Sequence, residues 1–89
     1  MIKGPYKKEI DRLQDSLETI QQKVSNKKLT YLFAKLETEK LLEDAEKTKE
    51  LLTSHAAHKK VINKLETVIN QIKQFIEDLS SLMEIKTTL

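Results

Sequence analysis

The sequence contains no cysteine and no tryptophan, and its 89 residues include one glycine and one proline. Without cysteine, neither a disulfide nor a thiolate metal site can form. The single glycine, Gly4, excludes a glycine-rich phosphate-binding loop, and two tyrosines with two phenylalanines are too few for a platform on which bases stack. We therefore expect that the protein is not an enzyme and carries no cofactor.

Strong net charge and long apolar runs are also missing. Sixteen basic and fourteen acidic side chains leave a net charge of +2. Arg12 is the only arginine, so the planar guanidinium group that favours nucleic-acid recognition occurs once. No stretch approaches the roughly 18 apolar residues of a membrane span, and the first residues do not resemble a signal peptide. We expect a cytoplasmic protein with no membrane partner.

The clearest pattern lies between residues 61 and 83. Apolar residues recur there at alternating spacings of four and three, which places them on one face of a helix. A second apolar row beside the first widens this face, so the helix needs at least two neighbours. We predict that Ile72 and Phe75 lie in the middle of the core. The two rows are Val61, Leu65, Val68, Ile72, Phe75, Leu79 and Leu82, and Ile62, Ile69, Ile76 and Met83.

The first part of the chain predicts a second regular helix. Pro5 suits a first helical turn, where its missing N–H would be unpaired in any case. The apolar positions that follow again alternate between spacings of four and three. A break is predicted at Ser25–Asn26, where Asn26 tolerates the left-handed conformation that closes helices. The apolar positions are Tyr6, Ile10, Leu13, Leu17, Ile20 and Val24.

The segment from residue 28 to residue 52 is helical in composition but has apolar residues on two faces. One face carries Leu29, Leu32, Phe33 and Leu36, whereas Ala34, Leu41, Ala45 and Leu52 lie nearly opposite. One helix would then serve two neighbours, or leave one face uncovered. Thr53–Ser54 is the next predicted break.

Two topologies account for these patterns. The first is a single all-α domain, a three-helix up-down-up bundle with helices near residues 5–25, 28–52 and 55–85. In it, the face that begins at Leu29 fills the core beside Val24, Leu79 and Met83, and the Leu41 face stays partly uncovered. The alternative is one long helix over residues 6–52 in a helical hairpin that dimerises into a four-helix bundle, and there the roles of the two faces reverse.

Two groups of polar residues are candidates for chemistry. His55 and His58 have a spacing that can place two imidazoles on one metal ion, but no further ligand accompanies them, so we expect an exposed pair and no metal site. In an up-down-up bundle the first and third helices begin at the same end. That end gathers a group of lysines, either a site for phosphate or an acidic partner, or a patch neutralised by Glu46 and Glu50. We call these lysines the basic end: Lys7, Lys8, Lys59, Lys60 and Lys64.

The favoured function is a non-catalytic protein–protein interaction module, of the small adaptor, inhibitor, immunity or chaperone type. It would act through the surplus apolar face and bind a protein partner or a second copy of the chain, most simply as a homodimer. The alternative is a nucleic-acid-binding helical dimer that uses the basic end. The candidate partner-binding residues are Leu29, Leu32, Phe33, Leu36 and Leu41.

Overall fold

Three α-helices make up nearly all of the chain that the computed structural model describes, namely residues 5–54 and 59–88. Helix α1 spans Pro5–Ser25, α2 spans Tyr31–Ser54 and α3 spans Lys59–Thr88. Those ranges contain no strand, so the predicted all-α fold is confirmed. The predicted start of the third helix near His55, and the histidine pair with it, lie outside the described residues.

Helix α1 ends in a hydrogen-bonded turn. The backbone N–H of Lys28 donates to the carbonyl of Lys23 at 2.8 Å, and that of Lys27 donates to Val24 at 3.0 Å. This pair of bonds is the Schellman arrangement, which needs a left-handed residue just past the helix. That residue is Lys27, with φ of 60°, so the predicted break is confirmed but the assignment of the left-handed position to Asn26 was wrong. Because the chain turns here, residues 6–52 do not form one helix.

Thr30 begins α2 as its N-cap. The N–H of Phe33 donates to Thr30 Oγ1 at 3.3 Å, and the N–H of Ala34 donates to the Thr30 carbonyl at 2.9 Å. A side-chain oxygen in this position satisfies a donor that has no partner inside the helix. Only five residues therefore join α1 to α2, and the two helices pack as antiparallel neighbours.

Ion pairs connect the three helices and show their relative heights. Arg12 Nη2 lies 2.7 Å from Asp44 Oδ2, which joins α1 to α2. Two further pairs join α3 to its neighbours: Lys49 to Glu66 at 3.2 Å, and Lys64 to Asp11 at 4.0 Å. The arrangement is the predicted up-down-up bundle. Its long dimension of 49 Å matches the ~45 Å length of a 30-residue helix.

The core is apolar and runs along all three helices, and the contact between α2 and α3 is the most extensive. Ile72 is fully buried, as predicted, whereas Phe75 is only partly buried and packs against the core from the side of α1. Ile69 is buried, and Ile62 and Ile76 pack against the core, so the wide face of α3 does contact two neighbours. The buried apolar residues are Ile10, Leu13, Leu17, Ile20, Ala34, Leu41, Ala45, Leu52, Val61, Leu65, Val68, Ile69, Ile72 and Leu79.

Helix α2 contributes a buried row of mostly small side chains at alternating spacings of four and three. Two threonines belong to this row, and each satisfies its hydroxyl within its own helix. Thr38 Oγ1 donates to the carbonyl of Ala34 at 2.6 Å, and Thr48 Oγ1 donates to that of Asp44 at 3.0 Å. Because their hydroxyls are bonded, both threonines can lie in the core without the cost of an unpaired polar group. The row is Ala34, Thr38, Leu41, Ala45, Thr48 and Leu52.

Candidate interaction surface

The structure buries the face of α2 that the three-helix prediction left uncovered. Leu41 is only 7% exposed and belongs to the core, whereas Leu32, Phe33 and Leu36 point outward. The predicted assignment of the two faces was therefore wrong for this topology. Leu41, a candidate for partner binding, is not at the surface. Leu29 is partly buried and packs against the core from the α1–α2 connection.

The charged turns of α2 explain this choice of face. At 100° per residue, Leu32 and Leu36 lie about 160° around the helix from the buried row, and Glu39, Glu43 and Glu50 share that outer side. Turning α2 to bury the leucines would also bury these carboxylates, at a cost of several kcal/mol for each ion. Leaving a leucine or phenylalanine in water forgoes about 1.5–3 kcal/mol. The carboxylates therefore decide the orientation, and the apolar side chains of the first turns stay outside.

The outward residues form a contiguous apolar surface on the first two turns of α2. Leu32 is 57% exposed, Phe33 is 58% exposed and Leu36 is 47% exposed. The Thr30 cap holds the first of these turns in helical geometry, so the three side chains project from a fixed backbone. We call Leu32, Phe33 and Leu36 the α2 patch.

Leu82 of α3, another exposed apolar residue, lies at the same height as the α2 patch. The Lys49–Glu66 pair shows the register of the antiparallel helices α2 and α3. Phe33 precedes Lys49 by sixteen residues and Leu82 follows Glu66 by sixteen, so Phe33 and Leu82 lie level with each other. Leu82 and the α2 patch thus lie at the end of the bundle that holds the α1–α2 connection, whereas Leu51, which is 60% exposed, lies near the other end of α2.

Leu82 is 42% exposed although it belongs to the predicted core row of α3. The Asp11–Lys64 pair sets α1 beside α3, and Ser25 follows Asp11 by fourteen residues. The same count from Lys64 reaches residue 78, so Leu82 lies about one turn beyond the end of α1. The periodic pattern of α3 did not reveal this exposure, because it depends on the length of another helix.

Charged side chains border the α2 patch at both ends. Lys27 and Lys28 precede it in the α1–α2 connection, and both are exposed. Glu39 and Glu43 follow it on the outer side of α2 and are also exposed. Glu43 lies 3.6 Å from Lys47, with both side chains about 70% exposed, which is a weakly bound surface pair. Lys40 and Lys47 are exposed on the same stretch of α2, so the surface beyond the α2 patch carries charges of both signs.

The lysines of the basic end lie at one end of the bundle, because α1 and α3 begin at the same end. Its five lysines are exposed. Lys64 lies 4.0 Å from Asp11 of α1, so the acidic partner in this pair comes from α1 and not from Glu46 or Glu50 of α2. Those two glutamates instead line a cavity between α2 and α3, together with Lys49 and other polar residues.

Arg12 of α1 lies between a carboxylate of its own helix and one of α2. Its guanidinium donates hydrogen bonds to Glu9 and Asp44, and these bonds, that to Glu9 first, raise the pKa of Arg12 above its ordinary value. An open groove between α1 and α2 passes these side chains, with Ile20 and Leu41 at its base. The charges along the groove have both signs, and Arg12 already binds two carboxylates. The Arg12 side chain therefore connects the two helices.

The described part of the chain brings together no three potential metal ligands among histidine, aspartate and glutamate. Nor does any helix in those ranges have the length and apolarity that crossing a membrane requires. No protein-family model, curated protein or solved structure matches the chain. The surface features described above are therefore the basis for a functional proposal.

Proposed function

We propose that this protein is a non-catalytic protein-interaction module that binds through the α2 patch. The observation that carries the proposal is the exposure of three large, adjacent apolar side chains on the first two turns of α2. A contiguous apolar surface on a small protein commonly marks the place where another protein binds. Small adaptors, inhibitors, immunity proteins and chaperones act in this way.

The size of the α2 patch limits the kind of partner. Side chains that are about half exposed gain roughly 1 kcal/mol each when a partner completes their burial. Three such side chains fall well short of the ~8 kcal/mol of a micromolar complex. A partner must therefore also contact the turns of α2 beyond the patch, or Leu82, as an amphipathic helix laid along α2 would do.

Two charge substitutions test the proposal and control for each other. Phe33→Glu alters the α2 patch and should leave the helix content unchanged, whereas Leu41→Glu places a carboxylate in the core and should unfold the protein. Immobilised wild-type protein, incubated with an extract of the cells that make it, should retain a partner that Phe33→Glu does not retain. If folded Phe33→Glu retains the same proteins and has the same molar mass in solution, the α2 patch does not mediate the interaction.

Nucleic-acid binding by a dimer through the basic end is the second candidate. It is supported by the exposure of Lys7, Lys8, Lys59 and Lys60 at one end of the bundle, and weakened by the pairing of Lys64 with Asp11. Neutralising several phosphates makes affinity fall steeply with salt. Duplex DNA that binds at low salt, and loses affinity in the Lys7→Gln/Lys8→Gln variant, would support this function. Binding that is unaffected by either change would contradict it.

A further inference from the structure

We propose that Lys27 controls an exchange of α1 between two copies of this chain. In the exchanged dimer, residues 5–54 of each copy would form one helix, and α1 of each copy would pack against α2 and α3 of the other. Exchange of an identical element is a low-cost route to a dimer, because the contacts of the monomer are kept. The exchange uses the buried faces of the helices and not the α2 patch, so it does not rest on the proposed function.

The inward-facing rows of α1 and α2 form one uninterrupted pattern. The alternation of four and three that runs along α1 continues through the α1–α2 connection and along α2, with Lys27 at the position between Val24 and Tyr31. One long helix with a single apolar face has this pattern. The pattern therefore does not require the turn that the structure contains. The positions are Ile10, Leu13, Leu17, Ile20, Val24, Lys27, Tyr31, Ala34, Thr38, Leu41, Ala45, Thr48 and Leu52.

The register of α1 and α2 in the monomer matches a two-fold axis in the connection between them. Arg12 and Asp44, whose side chains are 2.7 Å apart, each lie sixteen residues from residue 28, the centre of the connection. Two long helices that cross antiparallel at residue 28 would place Arg12 of each copy at the height of Asp44 of the other. The ion pairs of α1 would then form again between the copies without a change of register. Each end of the dimer keeps the three-helix packing of the monomer, so the four-helix bundle considered from the sequence does not arise.

Lys27 has two opposite effects on this exchange. Its φ of 60° is unfavourable for a residue with a Cβ atom, and conversion of the turn to helix would relieve it. A short connection under such strain favours exchange. In the dimer, however, Lys27 would lie in the inward-facing row one residue from the axis, so two ammonium groups would face each other, and like charges oppose association. We therefore expect the side chain at position 27 to set the ratio of monomer to exchanged dimer.

Cross-linking between two differently substituted chains detects the exchange. The chain has no cysteine, so Arg12→Cys and Asp44→Cys each introduce a unique thiol. The two chains are mixed, unfolded in urea and refolded together at about 1 mM, where even weak association is measurable. A short bismaleimide should then join them into a product of twice the 10.3 kDa chain mass, measured under denaturing conditions. Arg12→Cys alone is the control, because its two thiols would lie 32 residues apart along the dimer, about 48 Å at 1.5 Å per residue.

Variants at position 27 test its control of the exchange. Lys27→Ile removes the charge, completes the apolar row and disfavours a positive φ in both copies. The association constant, measured by sedimentation after refolding, should therefore rise about tenfold or more above that of the wild type. Lys27→Gly favours the turn and should lower the constant. Lys28→Ile adds the same apolar side chain outside the row and should leave the constant near that of the wild type, and circular dichroism confirms that each variant is folded.

Three results would overturn the proposal. The first is that the mixed chains give no more product than Arg12→Cys alone, with lysine and with isoleucine at position 27. The second is an equal rise in Lys28→Ile, and the third is as much dimer in Lys27→Gly as in Lys27→Ile. Product that forms only with isoleucine would support the proposal, because it would show that Lys27 blocks the exchange. The test of the proposed function is separate, since it depends on the cellular partners that Phe33→Glu retains.

Discussion

Arg12 Nη2 lies 2.7 Å from Asp44 Oδ2, although the two residues are 32 positions apart in the chain. The same guanidinium binds Glu9 in its own helix, so one side chain joins two carboxylates across the α1–α2 groove. Arginine stays charged throughout the ordinary pH range. The bridge is half exposed, and this limits how much it stabilises the bundle.

The first prediction concerns the energy of this bridge. A double-mutant cycle with Arg12→Ala and Asp44→Ala should give a coupling energy of about 0.2–1 kcal/mol in urea unfolding, because water screens an exposed ion pair. Arg12→Lys should lose part of it, since an ammonium group has no planar fork. The Glu43–Lys47 pair within α2 is the control and should couple by about 0.3–0.5 kcal/mol. A coupling above 2 kcal/mol for Arg12 and Asp44 would show that the pair is far less screened than its exposure indicates.

The second prediction separates two residues that the sequence placed together in the core. Ile72 is fully buried, so Ile72→Ala should lower the free energy of unfolding by about 2–5 kcal/mol. Phe75 is only partly buried, so Phe75→Ala should lower the free energy of unfolding by less than the truncation of a fully buried phenylalanine would. Chemical denaturation measures both values. A cost below ~1 kcal/mol for Ile72→Ala would contradict the packing described here.

A third prediction addresses the space around Thr38. Thr38→Val keeps the shape of the side chain and removes a hydroxyl that bonds only within its own helix, so stability should change by less than about 1 kcal/mol. Thr38→Leu should destabilise the protein by about 1–3 kcal/mol, because the larger side chain must enter a filled core. Thr48→Leu is the matched comparison and should cost less, since Thr48 is 9% exposed whereas Thr38 is 0% exposed. Equal stability of the wild type and Thr38→Leu would show that space remains beside α2.

The fourth prediction follows from the backbone of Lys27. Its φ of 60° is unfavourable for a residue that carries a Cβ atom, and glycine adopts this conformation freely. Lys27→Gly should therefore raise the free energy of unfolding by up to about 1 kcal/mol, partly offset by the greater freedom of glycine in the unfolded chain. Lys28→Gly lacks this benefit and should be neutral or destabilising. Measurements at low protein concentration keep any self-association apart from the result, and a loss of stability in Lys27→Gly would contradict the turn geometry.

Local patterns in the sequence were sufficient for the helices themselves. The rows of α1 and α3 predicted both helices, and the start of α1 at Pro5 and its end at Ser25 are as expected. The partly buried second row of α3 likewise agrees with its predicted need for two neighbours. These features depend on periodicity within one segment, which sequence displays directly. The predicted left-handed residue, Asn26, is one position before the observed one, Lys27, in a turn that was otherwise predicted correctly.

The sequence by itself determined that α2 has two apolar faces, but only the tertiary structure decided which one is buried. The outcome depends on two free-energy costs, that of leaving Leu32 and Leu36 in water and that of burying the carboxylates of Glu39, Glu43 and Glu50. It also depends on where α1 and α3 lie. The exposure of Leu82 depends in the same way on the point at which α1 ends. Periodicity reports the faces of a single helix, whereas the free energy of burial is a sum over all the helices that meet it. The α2 patch stays exposed because a core of this size buries only one face of α2.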